Sequence, residues 1–362
     1  MSGYTDARAR VIPTTASGPP AIIRRSFATP LNAVLTMIAV ALAIAIALPV
    51  ADWALVEATW SGTATTCRAN PAGACWAFIG HKLQFILFGL YPAAEHWRPA
   101  AATMVMIALV ITTMSPRSWR RWLVPVWLAG VALATSLMAG GLGLPHVPTR
   151  VWGGLPVTLL LTAVGLAAGF PLGILLALGR RSSLPVPRLI ASAIVETVRG
   201  VPLIAVLYIA ALVVPLAVPG GMEIDKLLLA LAGVVVFASA YLAEAVRAGL
   251  QIIPAGQREA ALALGLTRWQ TMRLVTLPQG LRVVIPSFVS IAIGFFQDTS
   301  LVVIIGLFDL LNTARVAAQD PGWLGFHREA FVFVAVIYFA ASGALSRYGL
   351  WLERHLRGAR RR

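Results

Sequence analysis

Charged residues are scarce in this chain of 362 residues. Only 12% are Asp, Glu, Lys or Arg, whereas 59% are hydrophobic, and the mean hydropathy is +0.82. A soluble globular domain contains about a quarter charged and about half apolar residues. The scarcity of charge therefore argues against a single water-soluble core and indicates an integral membrane protein.

Acidic residues and lysine are the rarest charges. The chain has 14 Asp and Glu against 29 Lys and Arg, which gives a net charge of +15. The arginines lie between apolar runs and do not cluster on a polar domain, so this charge does not indicate binding to nucleic acid. Lys82 and Lys226 are the only lysines, and neither lies in a G-x-x-x-x-G-K-[ST] loop. The chain therefore carries no P-loop ATPase of its own.

Residues typical of catalytic and metal sites are also few. The five histidines are scattered and show no H-E-x-x-H spacing, and no local motif indicates a serine triad or a pair of acid and base carboxylates. We expect neither a catalytic site nor a metal site.

The chain has two cysteines, Cys67 and Cys75, separated by an Asn-Pro-Ala-Gly turn at residues 70–73. In an oxidising compartment they can form a disulfide that closes a small loop. The alternative, two free thiols, stays open from the sequence.

Long apolar runs are abundant. A helix needs about 20 apolar residues to cross a bilayer core of about 30 Å. The runs without charge, apart from Asp298 in the seventh, are Leu31–Ala51, Pro99–Ser115, Trp122–Leu142, Val151–Gly179, Gly200–Val218, Leu227–Ala243, Val283–Gly306 and Ala330–Ser346. They predict an all-α polytopic membrane protein with about eight transmembrane helices. Trp76–Tyr91 contains His81 and Lys82, and we interpret it as an interfacial helix.

The distribution of basic residues orients these spans. With the N-terminus inside, twenty-two of the 29 basic residues fall on the inner side. Both termini are therefore expected in the cytoplasm. The predicted regions are an N-terminal tail (1–30), a three-span region with a long outer loop (31–150), a five-span core (151–352) and a basic tail (353–362).

A charged stretch, residues 252–280, interrupts the core. The pattern predicts a first helix from about Ala255 to Leu264, with Gly265 just after its end. Thr267 and Gln270 predict a capping box that starts a second helix, and Pro278 is expected to stop that helix after Leu277. On these residues alone, an ordinary loop with an interfacial amphipathic helix remains an alternative.

Three features of this stretch resemble the EAA loop of ABC-importer permeases. They are Glu259-Ala260-Ala261, a glycine six residues after the glutamate, and Val275-x-Leu277-Pro278, in which Val275 stands where Ile is usual. The resemblance implies that this loop inserts into a cytoplasmic ATPase subunit, which supplies the P-loop that this chain lacks. The ATPase-coupling residues it implies are Glu259, Ala260, Ala261, Gly265, Leu277 and Pro278. We call residues 252–280 the EAA loop.

The resemblance covers the chain from about Val151 to Arg357. Trp152-Gly-Gly-Leu155, Val198-Arg-Gly-Val-Pro-Leu203, Ala240-Tyr-Leu-Ala-Glu244 and Asp298-Thr-Ser-Leu-Val302 are similar to segments of polar amino-acid permeases of the histidine/glutamine type. The additional N-terminal spans and the Cys67…Cys75-Trp76 segment resemble the general L-amino-acid branch. The resemblance implies that the last five spans form an ABC type I importer core in a bacterial inner membrane. It also implies a permease subunit of an ATP-driven, binding-protein-dependent importer of L-amino acids.

The resemblance further implies an assembly. The expected partners are a cytoplasmic P-loop ATPase dimer that holds ATP and Mg, a second homologous permease in a heterodimer, a periplasmic solute-binding protein and the lipid bilayer. No cofactor is expected on this chain itself. One departure from the family is Gln297, which stands where these permeases commonly carry Lys before Asp-Thr-Ser.

Several polar residues within the spans are candidates for the substrate path or for structural pairing. The path candidates are Glu244, Asp298, Thr299 and Gln297; the predicted i,i+3 ion pairs are Glu196 with Arg199 and Glu244 with Arg247. For Asp298 the alternative is hydrogen bonding with Thr299 and Ser300. Two other classes of protein stay open at this point. One is an ion-coupled secondary transporter with Glu244 and Asp298 as ion sites, and the other is a membrane enzyme or scaffold.

Overall fold

The computed structural model of the chain describes residue 23 and residues 26–141, 143–218 and 224–358. Most of the predicted N-terminal tail, Leu142 at the end of the third predicted span, and the last four residues of the basic tail lie outside the described residues.

The described residues form helices, joined by turns and by two strands of two residues each. The α-helices are α1 (Pro30–Ala51), α2 (Ala64–Ala69), α3 (Trp76–Phe88), α4 (Trp97–Met114), α5 (Leu123–Ala139), α6 (Leu155–Arg180), α7 (Pro185–Gly200), α8 (Leu203–Tyr208), α9 (Val214–Ala217), α10 (Lys226–Gln251), α11 (Ala255–Ala263), α12 (Arg268–Gln270), α13 (Leu277–Asp298), α14 (Leu310–Ala317) and α15 (His327–Gly358). The π segments are Asp52–Val56, Ile209–Val213 and Thr271–Thr276; the 3-10 segments are Ala93–Glu95, Pro116–Ser118, Thr149–Val151, Thr299–Ile305 and Pro321–Trp323. The strands β1 (Gly153–Gly154) and β2 (Phe308–Asp309) pair in parallel.

The all-helical membrane architecture is confirmed, but the number of candidate spans is lower than the eight predicted. In the described part of the chain, six helices are long and apolar enough to cross a membrane. A seventh is added if α7 and the following helix Leu203–Ala217, bent by 107° at their junction, count as one span. The predicted third span is a 17-residue helix, α5, that ends at Ala139 with Gly140 as its C-cap. The interfacial segment is a helix of 13 residues, α3, which is too short for a typical span.

The chain divides into two compact units, one up to Ala77 and one from Phe78 onward. In the first unit, α1 continues into the π segment Asp52–Val56, and its apolar window is not buried in the protein. Such a uniformly apolar, uncovered helix suits contact with lipid. Cys67 and Cys75 form a disulfide, and the Trp76 indole donates to the Ala54 carbonyl at 2.7 Å.

The second unit is organised around the contact between α6 and α10. Gly165, Gly169 and Gly173 lie one turn apart on α6 and face α10. A Cβ atom added to Gly173 would lie 2.8 Å from the Leu242 Cβ and 3.0 Å from the Ser239 carbonyl oxygen. Small residues at this spacing allow two helix backbones to approach closely.

The other end of α10 is held in the same way by α13. A Cβ atom added to Gly249 would lie 2.7 Å from the Gly280 carbonyl oxygen. Further along the two helices, the rings of Phe237 and Phe295 lie 5.8 Å apart. These two contacts show that α10 and α13 run antiparallel.

The helices α4 and α5 also pack with the core in this second unit, and a buried arginine joins them. Arg98 is fully buried. Its guanidinium donates to the carbonyls of Leu137, Met138 and Pro145 at 2.6, 3.3 and 2.9 Å. Because two of these carbonyls lie at the C-terminal end of α5, Arg98 satisfies acceptors that the helix itself leaves open.

The close contact of Gly173 with α10 can be tested by measuring stability. We expect Gly173→Ala to lower the free energy of unfolding by about 1–3 kcal/mol, because the added methyl group must displace backbone atoms of α10. Gly343→Ala on α15 is the matched control, since no atom lies within 4 Å of its added Cβ. Thermal unfolding of both variants in nanodiscs measures the difference. Equal midpoints for the two variants would contradict close packing of α6 against α10.

Candidate functional site

The EAA loop begins with a short exposed helix, α11. Pro254 precedes it, Ala261 is its buried residue, and the helix packs against the π segment Thr271–Thr276. Leu262 and Leu264 are exposed, Leu264 by 84%. Arg258 and Glu259 are exposed as well. The helix therefore presents apolar and charged side chains outward.

Gly265 ends α11 with a left-handed turn. Its φ angle is +82°, a conformation that glycine adopts without the steric cost of a side chain. The Leu266 N–H donates to the Ala261 carbonyl at 3.2 Å, and the Gly265 N–H donates to the Leu262 carbonyl at 3.0 Å. This pair of bonds is a Schellman motif, which satisfies carbonyls at the end of the helix. The requirement for glycine is thus one of backbone conformation.

A capping box starts the next helix, as the sequence predicts. The Gln270 N–H donates to the Thr267 hydroxyl at 3.2 Å, and the Thr267 N–H donates to the Gln270 side chain at 2.8 Å. The two bonds satisfy N–H groups that the first turn of a helix leaves unpaired. The turn between the two helices is therefore specified on both sides.

The prediction that Pro278 stops this helix after Leu277 is wrong. Helix α12 continues through the π segment Thr271–Thr276 into α13. In the π segment the Leu277 N–H donates to the Met272 carbonyl, five residues back. This wider turn lies just ahead of Pro278 and accommodates the ring without a break. The EAA loop is thus continuous with a helix that ends at Asp298.

A group of ion pairs lies on α6, α7 and α10. The Glu244 carboxylate accepts from Arg180 on α6 at 2.8 Å and from Arg247 on its own helix. Arg199 on α7 lies 3.5 Å from the same carboxylate, and its guanidinium lies over the Tyr241 ring at 5.5 Å from the centroid. One carboxylate therefore links three helices.

Glu196 is paired differently from the prediction. Its carboxylate accepts from Arg180 at 3.0 Å, and no ion pair with Arg199 is found in the described part of the chain. The i,i+3 spacing of Glu196 and Arg199 permits a pair on one helix. Arg180, at the end of α6, reaches both glutamates instead. Arg180 was not among the residues predicted to form an ion pair, and its place at the end of a span was the signal available.

The other path candidates lie at the far end of α13. Asp298 is half-buried, and neither an ion pair nor a side-chain hydrogen bond is found for it among the residues the structure describes. Thr299 is buried and donates to the Phe296 carbonyl at 2.8 Å, and Gln297 is exposed and lies 3.4 Å from the Ser342 hydroxyl. Given the antiparallel contacts of α10 and α13, Asp298 lies roughly 20 Å along the bundle from Glu244. The structure does not bring these two carboxylates together.

A buried acid near that end was missed in the sequence analysis. Asp309 is fully buried, and its carboxylate accepts from the N–H groups of Leu311 and Asn312 at 3.0 Å each. Burial raises the pKa of Asp309, although these two donors act in the opposite direction. The available signal was an aspartate directly before an apolar helical pattern, which is typical of an N-cap. Asp309 therefore serves to fix the start of α14.

The different roles of Glu244 and Glu196 can be tested by comparing two variants. We expect Glu244→Gln to lower the free energy of unfolding by about 2 kcal/mol, because three guanidinium groups then lose a partly buried anion. Glu196→Gln should lower the free energy of unfolding by less than about 1 kcal/mol, because the Glu196 carboxylate contacts one arginine and is largely exposed. Glu196 is 69% exposed and Glu244 is 24% exposed. Chemical denaturation of the two variants measures the difference, and a larger loss for Glu196→Gln would contradict the assignment.

Comparisons with known proteins place these features in a family. Residues 169–358 match the family described as "Binding-protein-dependent transport system inner membrane component". The chain is 44% identical over 319 residues to the inner membrane amino-acid ABC transporter permease protein YhdY of Escherichia coli (strain K12), covering 86% of each protein. It is 35% identical over 399 residues to the glutamate/glutamine/aspartate/asparagine transport system permease protein BztC of Rhodobacter capsulatus, covering 91% of this chain and 92% of BztC.

A shorter relative matches only part of the chain. The glutamate/aspartate import permease protein GltK of Escherichia coli O6:H1 is 35% identical over 206 residues, which are 91% of GltK and 56% of this chain. The match to the family and the long alignments with YhdY and BztC agree with the helical membrane core. The chain belongs to the binding-protein-dependent transport family, as a multi-pass inner-membrane permease of an amino-acid ABC importer and not its ATPase.

Proposed function

We propose that the EAA loop of this permease is the surface on which a cytoplasmic P-loop ATPase dimer acts, and that the chain conducts polar L-amino acids inward. Glu259, Ala260, Ala261, Gly265, Leu277 and Pro278 are the proposed coupling residues. ATP and Mg are held by the ATPase subunits in this scheme. The observation that carries the proposal is the surface of α11 and the turn after it.

Exposed apolar side chains on a charged segment support a protein partner at this surface. Leu264 and Trp269 are exposed by 84% and 64%, and the same segment carries the exposed charges of Arg258 and Glu259. Apolar anchors surrounded by polar groups are typical of protein interfaces. The small, exposed side chain of Ala260 allows a partner to approach the helix closely, whereas Ala261 is buried within the protein.

Continuity of the helix supports transmission of movement from this surface. The chain runs without a helical break from Arg268 through the π segment to Asp298, and Gly280 contacts α10 at Gly249. A displacement of α11 would thus move α13 and α10 together. Rocking of packed helices of this kind is how transporters alternate access to a central path.

The orientation proposed is the one that the basic residues favour, with both termini in the cytoplasm. The proposed regions are those of the sequence analysis, namely 1–30, 31–150, 151–352 and 353–362. The other proposed partners are a second homologous permease, in a heterodimer, and a periplasmic solute-binding protein.

The substrate class rests on similarity. BztC and GltK are named for glutamate, aspartate and, in BztC, their amides. We assign the same polar L-amino acids to this chain. Asp298, Thr299 and Gln297 remain the proposed path residues. Glu244 is proposed to hold α6, α7 and α10 together through its arginines, because those arginines occupy the carboxylate that a substrate ammonium would need.

Assembly of the transporter tests docking of the ATPase at α11. We expect Leu264→Asp to abolish co-purification of the ATPase subunit, because a charge replaces an apolar anchor at the interface. Leu324→Asp is the matched control, since Leu324 is 58% exposed but lies far from the EAA loop along the chain. Both variants should unfold at the same temperature as the unmodified chain. Retention of the ATPase by Leu264→Asp would contradict docking at α11.

Uptake by the complete transporter tests the role of the Gly265 turn in coupling. Gly265→Asp should leave membrane insertion and contact with the binding protein intact. It should reduce uptake of L-glutamate by tenfold or more, at about 1.4 kcal/mol per factor of ten, because the turn requires a positive φ at residue 265. Gly256→Asp adds the same charge to α11 in ordinary helical backbone and should retain most of the uptake. Uptake and ATP hydrolysis are measured in proteoliposomes with the complete transporter. Unchanged uptake with Gly265→Asp would count against this role of the turn.

A further inference from the structure

A cavity of about 500 Å³ opens between the 3-10 segment Thr299–Ile305, α14 and the start of α15. Five polar side chains line it, together with three apolar ones. The polar side chains are Ser300, Asn312, Arg315, Gln319 and His327. No acidic side chain of the described residues is among them, so the cavity has a positive character.

Arg315 is the charged group of this cavity, and its guanidinium is uncommitted. It forms no ion pair with any residue in the described ranges. The two acids nearest in sequence are occupied: Asp309 caps α14, and Asp320 is paired with Lys82 at 2.8 Å. An exposed arginine without a partner in a polar cavity has its planar set of donors available for a ligand.

The uncharged side chains around Arg315 are uncommitted as well. No side-chain hydrogen bond is found for Asn312, Gln319 or Ser300 within the part of the chain that is described. The amides of Asn312 and Gln319 each supply donors and an acceptor. The cavity therefore combines a bidentate donor for a carboxylate with neutral groups that can bind the rest of a small polar molecule.

Helix α14, which carries Arg315, is held in place by contacts within the protein itself. The pairing of β1 with β2 and the Asp309 cap hold its first turn, and the Leu310 N–H donates to the Thr158 hydroxyl at 3.0 Å. The Thr313 hydroxyl donates to the Ile86 carbonyl at 2.6 Å on the buried side. A side chain on such a held helix binds with less loss of conformational freedom than one on a loop.

The cavity lies at the end of the bundle away from the EAA loop. Gly306, next to the 3-10 segment that lines the cavity, lies beside the side chain of Lys226 at the start of α10. The EAA loop follows the other end of α10. In the proposed orientation the cavity therefore opens toward the periplasm, where a binding protein would release substrate.

We propose that this cavity is an outer binding site for the carboxylate of the transported amino acid, with Arg315 as the anchoring residue. The proposal rests on the proposed function, since it requires that the chain conducts amino acids. A phospholipid phosphate has similar anionic oxygens, so the test must separate the two sources.

The test uses the full chain in nanodiscs with one introduced thiol. Cys67 and Cys75 are joined in a disulfide, so Val303→Cys, at an apolar lining position, places a single free thiol in the cavity. L-glutamine should slow the reaction of this thiol with a maleimide, whereas L-glutamine amide, which has no carboxylate, should not. Adding Arg315→Gln should abolish the protection. Adding Arg328→Gln, which removes an exposed arginine that does not line the cavity, should leave it intact.

In the complete transporter, Arg315→Gln should raise the KM for uptake by about tenfold or more, as loss of a charge-assisted pair implies. Arg328→Gln, outside the cavity, should leave this KM unchanged. Protection that persists in Arg315→Gln would overturn the proposal. It would also be overturned if phosphatidylglycerol nanodiscs protected the thiol without amino acid while zwitterionic nanodiscs did not. Because the thiol assay contains no ATPase, its failure is separate from a failure of docking at α11.

Discussion

Helix α10 holds the second unit together by packing closely against its neighbours. At Gly173 on α6 and at Gly249 on α10 itself, backbones approach so closely that an added Cβ atom would meet atoms of the neighbouring helix within about 3 Å. Interiors packed in this way transmit displacement because they have little free volume to absorb it. Since α10 leads directly into the EAA loop, we propose that movement at that loop reaches the core through these contacts.

The polar groups divide by position in the bundle. Glu244 with Arg180, Arg199 and Arg247 ties three helices together near the end of α10 that leads to the EAA loop. Arg315 and the polar side chains around it lie toward the other end, and no ion pair of Arg315 is found in the described part of the chain. One group is thus suited to holding helices in position, and the other is suited to receiving a ligand. An ion-coupled carrier with Glu244 as a free ion site is not favoured by this arrangement, because arginines surround that carboxylate.

Local features of the chain could be predicted, and features that depend on distant residues could not. Gly265, Thr267 and Gln270 act within a few residues of one another, so their turn and capping box follow from local rules. Pro278 was expected to stop a helix, but a π segment that no local rule foresaw carries the helix past it. Glu196 pairs with Arg180 because another helix places that arginine nearby. The cavity around Arg315 likewise joins residues from separate elements, and no spacing in the sequence indicated it.

We propose that a nucleotide-hydrolysing subunit contacts α11 in the assembled transporter. The most direct measurement places a photo-crosslinking amino acid at Glu259, an exposed position on this helix, and identifies the linked protein by mass spectrometry. We expect a link to the ATPase subunit in complexes that hydrolyse ATP. Links only to lipid or to other subunits, in complexes with full ATP hydrolysis, would contradict it.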